Sequence, residues 1–272
     1  SRLHWEDSLY LALRSATQLR LQADVEVGTL LSGGIDSTTI TALAAEVHPN
    51  IQSFSVSIDA DGFSERQAIL ENQKHLRASS SIESTLWSFT QSDFETSLAE
   101  VTAHMDEPLA DSSLIVTWFL FKKIQQAGLN CVLSGDGADE LFGGYPTYKA
   151  AHWMMKTPRM GLRSLLAPLA RRIPANPNGV SWEEMLKRWT SVNKRGDMSW
   201  WQEHQLWMGA WTPSDLKNST GIWDIAEFWA SQTQSNRVGD AMFLDQRLYL
   251  AEGVLAKVDR ASMAHGVEVR SP

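Results

Sequence analysis

An apolar run from Val25 to Leu31 passes directly into Ser32-Gly33-Gly34-Ile35-Asp36-Ser37, and a helical pattern follows from Thr38 to Val47. A buried strand, a glycine-rich turn and a helix in immediate succession constrain the fold more than any other feature of the chain. The pattern then repeats: Ile51 to Ile58 reads as a second strand and Ser64 to Leu76 as a helix whose Ser64 can cap its first turn. Two strand-helix units in a row imply crossover connections, and therefore a parallel sheet flanked by helices. A weaker strand at Ile82 to Leu86 is followed by helical stretches around Phe94 to His104 and Leu114 to Ala127, then a short strand at Cys131 to Leu133. The fold class is α/β through about Tyr145, and each strand end meets a loop.

From about Ala150 to Ala264 the texture changes to helical spacing, with proline-broken loops near Pro168 to Pro177 and nine of the twelve tryptophans. Trp182 and Trp189 lie one heptad apart and Trp207 and Trp211 four residues apart, so each pair can share a helix face. The expected organisation is an α/β region over residues 1–150 and a mainly helical remainder of the same domain over 151–272. A length of 272 residues at 43% hydrophobic is ample for a buried core.

The net charge of -8 is spread along the chain without a basic cluster, which argues against nucleic acid as a partner. A single cysteine, Cys131, excludes an intrachain disulfide and a multi-cysteine zinc cage and fits a reducing, cytoplasmic setting. No apolar run approaches the roughly 20 residues that span a bilayer, and Ser1 to Leu13 is unlike a signal peptide, so no membrane role is expected. The sequence lacks an initiator methionine and stops at Arg270-Ser271-Pro272, so a longer parent polypeptide is expected.

The turn Ser32 to Ser37 is a natural anion site. Free N–H groups and the positive end of a helix dipole face outward there, glycines permit close approach, and Ser32 and Ser37 add hydroxyls. Asp36 would repel bare phosphate, so its presence argues for a cation, with magnesium the expected one, between it and the phosphate oxygens. An ordinary serine-capped glycine turn explains the two glycines but not the combination of Ser, Gly, Gly, Asp and Ser. After Leu133 a second glycine loop, Ser134-Gly135-Asp136-Gly137-Ala138-Asp139-Glu140-Leu141-Phe142-Gly143-Gly144-Tyr145, places three carboxylates in five residues. Acids beside glycines at a strand's carboxyl end line ligand crevices in α/β sheets. If Asp36 and Asp139 approach each other, they can hold magnesium against a triphosphate.

The first turn resembles the signature loop of the PP-loop ATP pyrophosphatase superfamily and differs from a P-loop NTPase, because no Gly-Lys-Ser or Gly-Lys-Thr follows. With Asp106-Glu107-Pro108, Asp111 and Ser112, the Ser134 to Tyr145 loop, and the run Lys257 to Pro272, it resembles the asparagine synthetase family in motif order. The resemblance implies a PP-loop, adenine-nucleotide α-hydrolase-like fold. It implies that Ser32, Gly33, Gly34, Asp36 and Ser37 hold the triphosphate and its metal, that Leu31 and Val56 lie near adenosine, and that Ser134 and Gly135 touch nucleotide. It matches Asp139 to the second metal-binding acid, Asp136 to an acidic position beside the reaction centre, and Glu268 to an active-site glutamate of related β-lactam-forming enzymes.

The implied reaction uses ATP and Mg2+ to convert a carboxylate, with L-aspartate leading, into its acyl-adenylate and pyrophosphate. Ammonia then gives asparagine and AMP. In the family, ammonia comes from a glutaminase domain that does not precede Ser1, and a homodimer is an open arrangement. A β-lactam-synthetase-like ligase, a lasso-peptide cyclase and a non-catalytic ATP-binding regulator remain alternatives. His104 and His265 read as helix-end packing residues, Cys131 as a small core residue, and Lys149 and Lys257 as solvated lysines or phosphate contacts.

Overall fold

A computed structural model describes residues 2–58, 65–109, 111–149, 152, 199–208, 221–233 and 238–272. Ser64, the loops near Pro168 to Pro177, and Trp182, Trp189 and Trp211 lie outside the described residues. The chain forms two compact units, one of Ser1–Asp136 with Gly253–Pro272 and the other of Gly137–Glu252.

In the first unit, β1 (Val27–Leu30), β2 (Gln52–Ile58), β3 (Glu83–Phe89), β4 (Cys131–Leu133) and β5 (Glu268–Arg270) form one sheet in the order β3-β2-β1-β4-β5. Every neighbouring pair is parallel. The helices of this unit begin with α1 (Arg2–Arg20), α2 (Ile35–Val47), α3 (Arg66–Ser79), α4 (Gln91–His104) and α5 (Ser113–Gln126). In the second unit follow α6 (Ala138–Phe142), α7 (Trp200–Met208), α8 (Gly221–Ser231) and α9 (Val238–Asp245). A wide π-helical run, Gln246–Leu255, then leads into α10 (Ala256–Met263), which belongs with the sheet.

The parallel sheet with flanking helices agrees with the sequence expectation, and the strand Cys131–Leu133 has the expected bounds. Two differences have local causes. Helix α2 starts at Ile35, with Gly34 as its cap residue, so Asp36 and Ser37 fall in its first turn and not in a loop ahead of it. Helix α1 has no counterpart among the expected elements; it packs on α2, where Tyr10 and Arg14 both bond to Glu46. Helix α4 is started by a reciprocal cap in which Thr90 N–H donates to the Asp93 carboxylate (2.9 Å) and Asp93 N–H to the Thr90 hydroxyl (3.3 Å).

Burial on both faces explains why the strands read as apolar runs. On one face Val132, Phe54 and Val267 pack with Trp118 and Phe121 of α5 and with Val258 and Ala261 of α10. On the other, Leu133 and Leu31 pack with Ile40 and Ala44 of α2 and with Leu76 of α3. Val132 and Leu133 are neighbours on β4 yet serve opposite cores, as the period-two alternation of a strand requires. Each fully buried large apolar side chain contributes roughly 1.5–3 kcal/mol. Cys131 is one of the buried residues, and burial pushes its thiol up, away from the reactive thiolate form. His265, at the end of α10, lies edge-on to the Trp118 ring, with centroids 4.7 Å apart, in keeping with a packing role.

The second unit is helical in its described residues, with Ala226, Ala230, Ala241 and Leu244 buried. His204 of α7 and Asp245 at the end of α9 are both buried and joined at 2.8 Å (Nε2 to Oδ1).

Candidate active site

Because all five strands are parallel, the segments after β1 and β4 leave the same edge of the sheet. They do so where the strand order reverses, with β2 and β3 to one side of β1 and β4 and β5 to the other. Ligands bind α/β sheets at such a switch point.

The turn after β1 is braced by its own hydroxyls. Ser32 N–H donates to Ser37 Oγ (2.9 Å), the two serine hydroxyls are 2.8 Å apart, and Gly34 N–H donates to Ser32 Oγ (3.1 Å). The Thr38 hydroxyl donates to Gly34 O at 2.7 Å, and the side-chain amide of Asn72 reaches Ser32 O at 3.3 Å. Just ahead, Leu31 is buried and its N–H donates to Phe54 O at 2.8 Å, which ties the turn to β2. Val56, also on β2, is half-buried and opposite Trp87. Asp36 is half-buried in the first turn of α2, and desolvation pushes its carboxyl above the usual aspartate range.

The segment after β4 returns to this turn. A Cβ on Gly135 would stand 2.9 Å from Ser37 N and 3.1 Å from the Asp36 carbonyl carbon, so only glycine allows the two backbones to lie this close. Ser134 is buried; its N–H donates to Arg270 O (3.0 Å), and its hydroxyl is 3.0 Å from that of Ser271. Burial pushes the Asp136 carboxyl up, partly offset by a hydrogen bond from Ser134 and the positive charge of Lys257. Ser32, Gly33, Gly34, Asp36, Ser37, Leu31, Ser134, Gly135 and Asp136 thus gather at one edge of one unit.

Asp139 belongs to the second unit, in the first turn of α6. Its carbonyl accepts N–H bonds from Gly143 (2.8 Å) and Gly144 (3.0 Å), and its Oδ1 occupies the space that a Cβ on Gly144 would need. Beside it Glu140 is 1% exposed and accepts the Tyr145 hydroxyl at 2.8 Å, while Gln246 donates to the Glu140 backbone carbonyl at 3.1 Å. Burial pushes the Glu140 carboxyl up, and burial with the Glu140 bond raises the Tyr145 phenol beyond its ordinary range.

Glu268 does not join the first-unit gathering. It pairs in register with Cys131, at the amino end of β4, and its carboxylate is exposed and bound by Arg270 (Nε to Oε1 2.8 Å). The Arg270 bond also holds the Glu268 carboxyl below its usual range. Lys149 is exposed, whereas Lys257 is engaged by Asp111 and Ser113. Neither that engagement nor the Glu140–Tyr145 bond was anticipated from sequence. Glu140 was visible only as one acid of three, although a tyrosine five residues beyond an acid in a glycine loop was a usable signal. Among the described residues no three His, Cys, Asp or Glu side chains form a metal cage, and no helix is long and apolar enough to cross a membrane.

The family model for asparagine synthase matches residues 8–272. The chain is 29% identical over 279 residues to asparagine synthetase [glutamine-hydrolyzing] 1 of Bacillus subtilis (strain 168), covering 98% of this chain and 42% of that protein. It is 28% identical over 281 residues to a putative asparagine synthetase [glutamine-hydrolyzing] of Mycobacterium tuberculosis (strain ATCC 25618 / H37Rv), covering 98% and 40%. Amidase chyE of Penicillium rubens is 26% identical over 152 residues, 51% of this chain and 22% of that protein. The chain therefore spans about two fifths of the length of the synthetases it matches.

Proposed function

Since this chain belongs to the asparagine synthase family, we propose that it is the ATP-dependent, amide-forming part of a ligase that converts the aspartate side-chain carboxylate to asparagine. The observation that carries the reading is the seating of Gly135 on the Asp36–Ser37 backbone, which brings two glycine turns together at the switch point of a parallel sheet. Helix α2 directs its N-terminal N–H groups and dipole to that edge, so a polyphosphate has donors without needing a lysine.

In the proposed reaction a carboxylate oxygen attacks the α-phosphorus of ATP. The bond to the β-phosphate oxygen breaks, and pyrophosphate leaves with the electron pair. Ammonia then attacks the acyl carbon, the bond to AMP breaks, and the amine loses a proton. Asp136, whose carboxyl is pushed up by burial, would orient the amine or, as the carboxylate, take that proton. Glu268 remains a proposed helper only if its Arg270 partner releases it. Asp36 is half-buried and desolvated, which suits a carboxylate that shares a cation with phosphate oxygens. Asp36 and Asp139 would hold Mg2+, which when bound supplies positive charge against the departing pyrophosphate. Leu31 and Val56 would flank adenosine, and Ser32, Gly33, Gly34, Ser37, Ser134 and Gly135 would meet the phosphates through backbone and hydroxyl groups. We further propose a cytoplasmic setting and ammonia delivered by a glutaminase domain of the parent protein.

The test is magnesium-dependent pyrophosphate release from ATP by the parent protein, with L-aspartate and ammonia present or omitted. Aspartate-dependent AMP and pyrophosphate, lost by roughly a thousandfold or more in Asp36→Ala and Asp139→Ala, are expected. ADP as product would overturn the adenylation mechanism. A second reading is an amide-forming relative acting on a different carboxylate (a lasso-peptide-cyclase-like or β-lactam-synthetase-like ligase). Pyrophosphate release with another acid and none with aspartate would favour it, and ATP binding without pyrophosphate release with any acid would favour a regulator.

A further inference from the structure

Lys257 lies in the first turn of α10, and its side chain is only 14% exposed, which is unusual for a lysine. Its ammonium donates to Asp111 Oδ2 at 2.9 Å and to Ser113 Oγ at 2.8 Å. The other carboxylate oxygen of Asp111 accepts the Ser113 N–H (2.9 Å) and the Ser113 hydroxyl (2.7 Å). The three residues close a ring of charge-assisted bonds, which are stronger than neutral ones. Burial alone would raise the Asp111 carboxyl, but the Lys257 and Ser113 bonds outweigh it and hold the carboxyl below its usual range.

The ring fastens the start of α5 to the start of α10. It is not what holds those helices together, because Leu114, Trp118 and Phe121 already pack against Val258 and Ala261 beneath it. What the ring adds is a fixed cation at the carboxyl edge of the sheet, the edge at which β4 runs on into Asp136, where positive charge from Lys257 partly offsets the effect of burial on that carboxyl. An ammonium has three donors, and two are consumed within the ring. Such a group is poorly placed to swing out and grip a phosphate.

On the reading of the site given above, we propose that Lys257 is a positioning residue: clamped by Asp111 and Ser113, it fixes a positive charge at the sheet edge from which Asp136 leaves β4 and keeps the segment before α5 in place, without gripping phosphate itself.

The experiment uses the parent protein and the variants Lys257→Met, Lys257→Arg, Asp111→Asn and the Lys257→Met/Asp111→Asn pair. Three readouts are taken: MgATP affinity, the kcat and KM of pyrophosphate release, and amide hydrogen exchange of residues 111–116. Lys257→Met is expected to lower kcat about 10- to 100-fold with MgATP affinity within about twofold, and to speed exchange in 111–116. Lys257→Arg should recover most of the kcat, and the double variant should be little worse than either single one, as expected for partners in one ring. A roughly tenfold loss of MgATP affinity at unchanged kcat would instead make Lys257 a phosphate ligand and overturn the proposal. Unchanged kcat and affinity, or additive single effects, would overturn it as well. If the parent releases no pyrophosphate with aspartate, the functional reading fails on its own. The clamp is then judged by hydrogen exchange: faster exchange in Lys257→Met upholds it and unaltered exchange refutes it.

Discussion

The turn after β1 and the turn from Gly137 to Tyr145 each present an aspartate from the first turn of a helix, but they are held by opposite means. Around Asp36 the bracing groups are short hydroxyls, Ser32, Ser37 and Thr38, bonded to one another and to the turn's own backbone. Around Asp139 the brace is a buried carboxylate, Glu140, tied to a tyrosine and covered by the rings of Tyr148 and Tyr249 against Tyr145. Water can more easily replace a lost hydroxyl bond at a turn that is only part-buried. It cannot easily replace the partner of a buried acid. The first turn should therefore tolerate side-chain loss better than the second, although both carry the same kind of functional group.

The sharpest way to break this comparison is Glu140→Ala, which leaves the Tyr145 hydroxyl without its partner and a void around it. A loss of about 3 kcal/mol of stability in chemical denaturation is expected. A loss below about 1 kcal/mol would mean that the buried brace matters no more than the serine one. Next is Gly144→Ala. Its Cβ would collide with the Asp139 carboxylate, a side-chain end that can swing aside, so stability should change little while turnover falls on the order of 100-fold. Activity close to wild type would show that the position of Asp139 is not critical. Ser37→Ala probes the other turn, where a stability cost of about 1 kcal/mol is expected from thermal melts, because Ser32 N–H loses its acceptor at a partly exposed site.

The smallest effect is a pH dependence. Burial raises the Glu140 carboxyl above its ordinary value of 4.5, so between that value and the raised one the folded state binds more protons than the unfolded state. The contribution of Glu140 is then fully present at acid pH and is lost as pH rises through the raised value. Glu140→Gln should flatten that slope in melts taken from pH 4 to 8, whereas Ser37→Ala should leave it alone.

These features differ in how far they could be read from sequence. The glycine turns and the strands before them were legible because they are local: the signal is residue type at fixed spacing, and the strand ends fall within a few residues of the expected positions. The approach of Gly135 to Asp36 was not legible, because β1 and β4 are distant in sequence and only their pairing brings the two turns together. Glu140 reads only as one of three acids in a glycine loop, and its burial depends on the local chain folding back so that Tyr145 meets it and on Gln246 arriving from a distant segment. Lys257 is a basic residue on a helix, and nothing in its neighbours announces the distant Asp111 that occupies it. Glu268 was singled out by motif, but its register opposite Cys131 follows from sheet pairing, which no local pattern encodes.

The pairing of β5 with β4 has a consequence for the order in which the molecule can be built. Ser134, at the proposed nucleotide edge, donates to Arg270 O, and the Arg270 guanidinium reaches back to the carbonyls of Arg20 and Gln22, each at 2.9 Å. The sheet is thus completed by residues separated from the rest of its unit by the whole excursion Gly137–Glu252. During synthesis β4 must wait with a bare edge until the ribosome has passed Arg270, a stage at which an unpaired strand invites association with other chains. Closing so long a loop slows folding more than it weakens the finished fold, so assembly of the proposed nucleotide edge should be a late step of refolding. The turn that a reader of the sequence meets first would then be among the last to become competent.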